Sequence, residues 1–255
     1  MKCALVLSGD PRYFEESIDS IVKNIINVNE NIDVYGHFWK RSKDNEIYKI
    51  LVKCCNKYRY PEFMNIHQDE FLEKIKSKIN FKKIVIEEHP NLDINTFIET
   101  KDLDSEENKS NARFTIFILS QYLSLYKCNK LLQNKYDYDY ILRHRTDIVI
   151  DNPIIFTEYN KDKIYATIPD ENIDYIYDST FLCNQENMNY LSNYYFNMND
   201  IYQESKNLNL HFSLLEYYIP IYLNKINKKF THTNFNQEWK IIRNILRYNI
   251  FEYFE

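Results

Sequence analysis

The stretch 136–152 constrains the fold of this chain more than any other segment. Tyr138, Tyr140 and Leu142 alternate with Asp139, Ile141 and Arg143, and this period of two residues is that of a pleated strand. Arg143, Arg145 and Asp147 then follow at every second position, so a strand that runs this far would present all three on one face. Two guanidinium groups and a carboxylate at the end of a strand suit a phosphate group, with or without a metal ion. The alternative is a surface ladder of ion pairs.

The scarcity of glycine narrows the classes of nucleotide site that are possible. Gly9 and Gly36 are the two glycines among the 255 residues. A Rossmann G-x-G-x-x-G loop and a Walker A loop each need more glycines within one window than this chain holds. The length predicts one large α/β domain, or one domain with an appended helical part, and 44% hydrophobic residues, rich in tyrosine and phenylalanine, supply its core.

Charge and hydropathy exclude further classes. The net charge of -5 argues against a general nucleic-acid binder. No apolar run reaches about 18 residues, so no membrane span is expected. The apolar N-terminus is too short for a signal sequence and is interpreted as a first strand. The cysteines are odd in number and lack metal-binding spacing, which favours buried thiols in a reducing compartment.

The N-terminal segment predicts a parallel sheet. An apolar strand over 2–8, an amphipathic helix over 14–27 and a second strand over 31–39 form a β-α-β unit. Ligands in such sheets bind beyond the carboxyl ends of the strands. The segments 8–12, 37–39 and 145–147 are therefore expected to meet at one edge. The literal Asp-x-Asp at Asp137 and Asp139 is rejected as a metal site because it begins the central strand instead of ending it.

The remaining elements follow from hydrophobic periodicity and turn residues. The pattern predicts helices over 44–56, 67–78, 112–132, 187–196, 212–224 and 238–248, and strands over 82–87, 163–167, 175–181 and 229–234. The polar and acidic segment 88–111 is predicted to be a loop, either a lid over the site or a plain insertion.

Several motifs, taken in their order along the chain, resemble one protein group. They are Ser8-Gly9-Asp10-Pro11-Arg12, Asp33-Val34-Tyr35-Gly36-His37-Phe38-Trp39, Ser120-Gln121-Tyr122, Tyr138-Asp139-Tyr140-Ile141-Leu142-Arg143-His144-Arg145-Thr146-Asp147, the segment 177–188 and the segment 214–218. The group is the GT-A-like glycosyltransferases of bacterial surface-polysaccharide loci and large DNA viruses. The resemblance implies a GT-A-like (Rossmann-like) α/β fold, with a mostly parallel central sheet flanked by helices and a helical C-terminal part in one domain. It also implies a cytoplasmic location, in a bacterium or in the host of a virus.

The resemblance implies sugar transfer from a UDP- or GDP-linked donor to a glycan or other surface-polysaccharide acceptor. Residues 1–151 would bind the nucleotide sugar and residues 152–255 the acceptor. The nucleotide-sugar-binding residues implied are Ser8, Gly9, Arg12, His37, Trp39, Arg143, Arg145 and Asp147. For Trp39 and His37, core or structural roles are the alternatives. Other functions compatible with the residues are nucleotidyl transfer on the same fold class and non-catalytic glycan binding.

Two questions of chemistry stay open at the level of sequence. Arg145 stands where other GT-A enzymes have the first Asp of Asp-x-Asp. Asp147 is therefore either a single protein ligand to Mn²⁺ or Mg²⁺, or Arg143 and Arg145 neutralise the diphosphate without a metal. Asp178 and Glu216 are the candidate catalytic carboxylates that accept a proton from the acceptor; a turn cap and a structural ion pair are the alternatives.

Overall fold

A computed structural model describes residues 1–11, 14–40, 44–47, 49–50, 68–92, 106–132, 138–167, 179–205, 215–233 and 235. The strands are β1 (Cys3–Gly9), β2 (Ile32–Lys40), β3 (Phe81–Glu88), β4 (Tyr140–His144), β5 (Ile164–Thr167), β6 (Thr180–Cys183) and β7 (Phe230–Thr233). The helices formed by these residues include α1 (Phe14–Ile21), α2 (Gln68–Lys78), α3 (Glu106–Leu132), α4 (Gln185–Ser205) and α5 (Leu215–Lys225). A π-helical segment (Val22–Ile26) continues α1, and a short 3-10 helix (Phe156–Glu158) precedes β5.

The seven strands form one sheet in the order β3-β2-β1-β4-β6-β5-β7. Strands β3, β2, β1 and β4 are parallel neighbours. Strand β6 runs antiparallel to both β4 and β5, and β7 is parallel to β5. This confirms the expected fold class, a Rossmann-like α/β domain with a mostly parallel central sheet flanked by helices. None of the helices in the described ranges has the length and apolar character needed to cross a bilayer.

Alternating side chains fill two cores, one on each face of the sheet. The face that carries Ala4 and Val6 of β1 packs against α3, α4 and α5, and is called the α3 face below. The face that carries Leu5 and Leu7 packs against α1 and α2, and is called the α1 face. All seven residues of β1 are buried because this central parallel strand is covered on both sides. A slip of one residue would exchange the two faces, so the strand register is strongly specified.

The structure differs from the sequence-based expectation at two helices. The helix predicted to start at residue 112 begins at Glu106, so the end of the predicted acidic loop is helical. The helix predicted over 14–27 is interrupted by the π-helical segment. The helix expected over 238–248, residues 93–105 of the acidic loop and most of the helix expected over 44–56 lie outside the described residues.

The remaining predicted elements are present, and except for α4 their ends shift only slightly. The strands expected over 82–87, 163–167 and 229–234 appear as β3, β5 and β7. The helices expected over 67–78, 187–196 and 212–224 appear as α2, α4 and α5, and α4 is about twice as long as expected. The strand expected over 175–181 is described from residue 179 onward, where it appears as β6.

Candidate functional site

The order of the strands creates a switch point between β1 and β4. From β1 the chain builds outward through β2 and β3, and then returns to place β4 on the other side of β1. In open α/β sheets such a point is where the loops beyond two neighbouring strands diverge and leave a crevice for a ligand. Gly9 ends β1 with a φ of +118°, a conformation that favours glycine, and the segment 145–147 follows β4. The sequence-predicted segments after β1 and β4 therefore do meet at one edge.

Arg145 and Asp147 form a two-pronged ion pair at this edge. Nε of Arg145 donates to Oδ1 of Asp147 at 2.8 Å, and the second contact joins a terminal nitrogen of Arg145 to Oδ2 at 2.7 Å. The Asp147 side chain is 3% exposed and the Arg145 side chain is 19% exposed. Parallel contacts of this kind orient both planar groups and are stronger than single neutral hydrogen bonds. The pair thus holds a positively charged group at the edge of the sheet in one orientation.

The central strand ends earlier than the sequence pattern predicts. It was expected to continue to Asp147, whereas β4 stops at His144 and residues 146 and 147 form a turn. The expectation that Arg143, Arg145 and Asp147 share one extended strand is therefore wrong for the last two. The turn brings Asp147 back toward the guanidinium group of Arg145, which makes the ion pair possible.

The turn and the residues after it are held by polar side chains of α1 and of the π-helical segment that continues it. Ser17 Oγ donates to the carbonyl of Thr146, and Asn24 donates to the carbonyl of Ile150. Ser20 Oγ accepts a hydrogen bond from the backbone N–H of Ile150 at 3.1 Å. The three helix residues fall at i, i+3 and i+7, so they form one stripe. This polar stripe on an otherwise apolar helix face is a sequence signal for the site that the reading of the sequence missed.

Arg143 lies deeper in the sheet than expected. It is fully buried, and its register partners are Val6 of β1 and Phe181 of β6, which places it on the α3 face. Its Cζ atom lies 5.8 Å from the centroid of the Phe181 ring. Arg143, two residues before Arg145, thus lies inside the core and not at the rim of the sheet.

His144 is a site-adjacent residue that the sequence reading did not select. It is fully buried, Nε2 lies 3.1 Å from the carbonyl oxygen of Ile148 and Nδ1 lies 2.9 Å from Oγ1 of Thr180. A carbonyl only accepts, so Nε2 carries a proton and donates to it. Burial disfavours the imidazolium form and lowers the pKa of His144 to about 4. The neutral ring fastens the end of β4 to the segment that follows it and to β6.

Trp39 and His37 anchor helix α3 to the sheet. Trp39 is 2% exposed, and its indole N–H donates to the carbonyl of Ser120 at 2.9 Å. Nδ1 of His37 lies 2.7 Å from Oγ of Ser124, and Nε2 lies 3.1 Å from Oε1 of Glu87. Burial lowers the pKa of His37, and the hydrogen bond with Glu87 opposes that effect. Both residues lie near the predicted edge, and their role in nucleotide binding stays a prediction.

Lys127 and His89 also lie close to the ring of Trp39. Nζ of Lys127 donates to the same Glu87 oxygen and lies 5.2 Å from the centroid of the Trp39 ring. The ring of His89 lies 4.9 Å from that of Trp39, and the His37 ring lies 4.6 Å from it at a steep angle. The indole therefore packs against several protein groups within the described part of the chain.

The other predicted site residues are placed only in part. Ser8, next to Gly9 at the end of β1, is 3% exposed. Arg12 and Asp178 lie outside the described residues. Glu216 falls in α5, and its side chain lies outside them too. Among the described residues, no three His, Cys, Asp or Glu side chains are grouped closely enough to hold a metal ion.

Among the comparisons with known proteins, matches come from solved structures alone. No protein-family model matches the chain, and no curated protein matches it in sequence. Among solved structures, the chain is similar to a 4-diphosphocytidyl-2C-methyl-D-erythritol synthase from Anaerococcus prevotii. The TM-score is 0.46 and the identity 10%, over 100% of this chain and 96% of that chain. A likeness at this level says nothing about the reaction of the present protein.

Proposed function

We propose that this protein transfers a sugar from a UDP- or GDP-linked donor to a glycan or glycoconjugate acceptor. The observation that carries the proposal is the Arg145–Asp147 pair at the switch point, beside the glycine turn that ends β1. A crevice at a switch point supports a nucleotide ligand, and an oriented guanidinium group supports recognition of its phosphates. The order of motifs described above supports sugar transfer as the reaction.

Arg145 supplies the positive charge in this proposal. When the bond between the sugar and the diphosphate breaks, negative charge grows on the departing diphosphate. A guanidinium group that is already oriented stabilises that charge without reorganising during the reaction. Asp147 is the positioning residue, because both of its oxygens accept hydrogen bonds from Arg145 at 2.8 and 2.7 Å.

The described residues fit the arginine route better than a divalent metal. Asp147 is the single carboxylate that the predicted metal site offers here, and it is already paired with a cation. Mn²⁺ and Mg²⁺ sites on proteins are built from several oxygen ligands at fixed distances. The expected metal stays a prediction, and every step proposed here uses side chains alone.

The acceptor hydroxyl must lose a proton as it attacks the sugar. Asp178 and Glu216 remain the proposed carriers of that proton. Strand β6 is antiparallel to β4, so its first residue, Thr180, lies at the edge where β4 ends. Asp178 precedes that residue by two positions in the sequence, which supports an acceptor-side role. Residues 152–255 are accordingly proposed as the acceptor half.

Ligand binding and product analysis test the proposal together. Thermal shift with UDP- and GDP-sugars, with and without Mn²⁺, should identify a donor that raises the melting temperature. Arg145→Gln should weaken binding of that donor by about tenfold or more, since a charged hydrogen-bond partner of the phosphates is lost. Lys161→Gln is the matched control: it also removes a positive charge, but beside Asp139 at the amino end of β4.

The products distinguish the three candidate functions. Release of UDP or GDP together with a glycosylated acceptor supports sugar transfer. Release of pyrophosphate from a nucleoside triphosphate and a sugar phosphate would replace it with nucleotidyl transfer. Binding of glycans in the absence of a donor, with no hydrolysis of any donor tested, would replace sugar transfer with a glycan-binding role.

A further inference from the structure

On the α3 face of the sheet, two buried hydroxyl groups at the carboxyl edge have no partner among the described residues. They belong to Ser8, which is 3% exposed, and Ser179, which is 0% exposed. Within the described part of the chain neither Oγ atom has a hydrogen-bond partner. Buried polar groups in folded proteins are nearly always paired, and an unpaired one is unfavourable. Two of them at one edge indicate a site that is incomplete without a ligand.

The strand register places these serines on either side of Arg145. Leu7 of β1 is opposite His144 of β4, so the next residue, Ser8, comes alongside Arg145. On the other side, the backbone N–H of Arg145 donates to the carbonyl of Ser179 at 3.0 Å. Ser8 of β1, Arg145 directly after β4 and Ser179 directly before β6 therefore form one row across the edge of the sheet.

The row lies on the α3 face. Val6 and Phe181 belong to the core on that face; Val6 is two positions before Ser8 in β1, and Phe181 is two positions after Ser179, which directly precedes β6. Side chains alternate between the two faces of a sheet, so both serines share the face of Val6 and Phe181. Arg143 lies one row below on the same face, fully buried. Arg145, with 19% of its side chain exposed, is the member of the row that solvent reaches.

The length of the row selects among anionic ligands. Two spacings between neighbouring strands place the backbones of the two serines about 9.6 Å apart, so one ligand contacts both hydroxyl groups only if it is extended. Two linked phosphoryl groups are more extended than one, which favours a diphosphate. Two hydroxyl donors beside a guanidinium group also match the charge and acceptor pattern of an oxyanion.

We propose that Ser8, Arg145 and Ser179 form a cradle for a diphosphate, in which Ser8 binds one phosphoryl group and Ser179 binds the other. This proposal rests on the part of the proposed function that places ligand binding at the carboxyl edge of the sheet. It does not require that the protein transfers a sugar. Residues 1–151 are the proposed nucleotide half, so in this proposal Ser8 contacts the phosphoryl group next to the nucleoside. Ser179 then contacts the outer phosphoryl group, which makes it the residue that distinguishes a diphosphate from a monophosphate.

Three substitutions that each remove one unpaired hydroxyl test the cradle. Ser8→Ala and Ser179→Ala change the row itself. Thr167→Val is the matched control, because Thr167 is 1% exposed and its hydroxyl also has no partner among the described residues. Thr167 follows Tyr165 by two positions in β5, on the α1 face, and is therefore not in the row. None of the three should lower the melting temperature, since no protein hydrogen bond is lost.

Calorimetry with inorganic pyrophosphate, orthophosphate, and the mono- and diphosphates of uridine and guanosine provides the readout. Ser8→Ala and Ser179→Ala should each weaken pyrophosphate binding by about tenfold or more, the effect of a lost hydrogen bond to a charged group. Ser179→Ala should also weaken binding of the nucleoside diphosphate and leave the monophosphate unchanged. Thr167→Val should bind every probe as the wild type does. If Ser179→Ala does not fold, Ser179→Cys provides the same test with a weak donor of similar size.

Each result separates the cradle from the proposed function. Wild-type affinity in Ser179→Ala, or an equal loss in Thr167→Val, would overturn the cradle even if the protein transfers sugar. Serine-dependent binding of pyrophosphate without binding of either nucleotide would support the cradle and refute the proposed donor. A wild-type protein that binds neither pyrophosphate nor a nucleoside diphosphate would overturn both.

Discussion

Protonation of His144 should make the folded protein sensitive to acid. The ring is fully buried at the end of β4, between the Ile148 carbonyl and the Thr180 hydroxyl. Burial lowers its pKa from 6.5 to about 4. The unfolded chain therefore binds a proton at a higher pH than the folded protein does. The contribution of this group to the free energy of unfolding is fully present above about pH 6.5 and decreases as the pH falls toward 4. Below about pH 4 this group causes no further decrease.

The size of the effect follows from the shift. The difference of about 2.5 pKa units corresponds to about 3 kcal/mol once both states have titrated. Between about pH 7 and pH 5 only part of that is lost, and linkage gives about 2 kcal/mol for this group. For a domain whose net stability is roughly 5 to 15 kcal/mol, this loss is large enough to measure.

Urea unfolding of the wild type and of His144→Gln at these two pH values measures the contribution. The glutamine amide can still donate to the Ile148 carbonyl, and it does not titrate. The other histidines and carboxylates are the same in both proteins, so their contributions cancel in the difference. The wild type should lose about 2 kcal/mol more than His144→Gln on going from pH 7 to pH 5. Parallel losses in the two proteins would show that His144 titrates normally when folded, and the reasoning would be refuted.

Further substitutions test the site and the sheet. Asp147→Asn should lower donor turnover by about a hundredfold, because Arg145 loses the partner that orients it, with little change in melting temperature; full turnover would remove Asp147 from the site. Gly36→Ala should cost about 1 to 3 kcal/mol in urea unfolding, because its Cβ would lie 2.9 Å from two aromatic carbon atoms, one of Phe38 and one of Phe81. Gly9→Ala has no atom within 4 Å of the new Cβ, so its cost of about 1 to 3 kcal/mol would come from the positive φ alone; an unchanged stability would contradict that strain.

Much of the fold could be predicted from sequence because it depends on neighbours along the chain. An apolar run followed by glycine and proline identified β1, alternation over a few residues identified β4, and helical periodicity identified α3, the helix that leads toward the central strand. The β-α-β order then predicted a parallel sheet and the edge at which ligands bind. These inferences need only local periodicity and the short, right-handed connections of such units.

The tertiary structure decided what each polar side chain does. Sequence spacing placed Arg143 beside Arg145, whereas strand pairing buries Arg143 within the core and leaves Arg145 paired with Asp147 at the rim. Ser179 had no sequence signal at all, because its meaning comes from lying opposite Arg145, more than thirty positions earlier. Burial and hydrogen-bond partners depend on which segments the sheet brings together, and a sequence period of two or 3.6 residues carries no information about that.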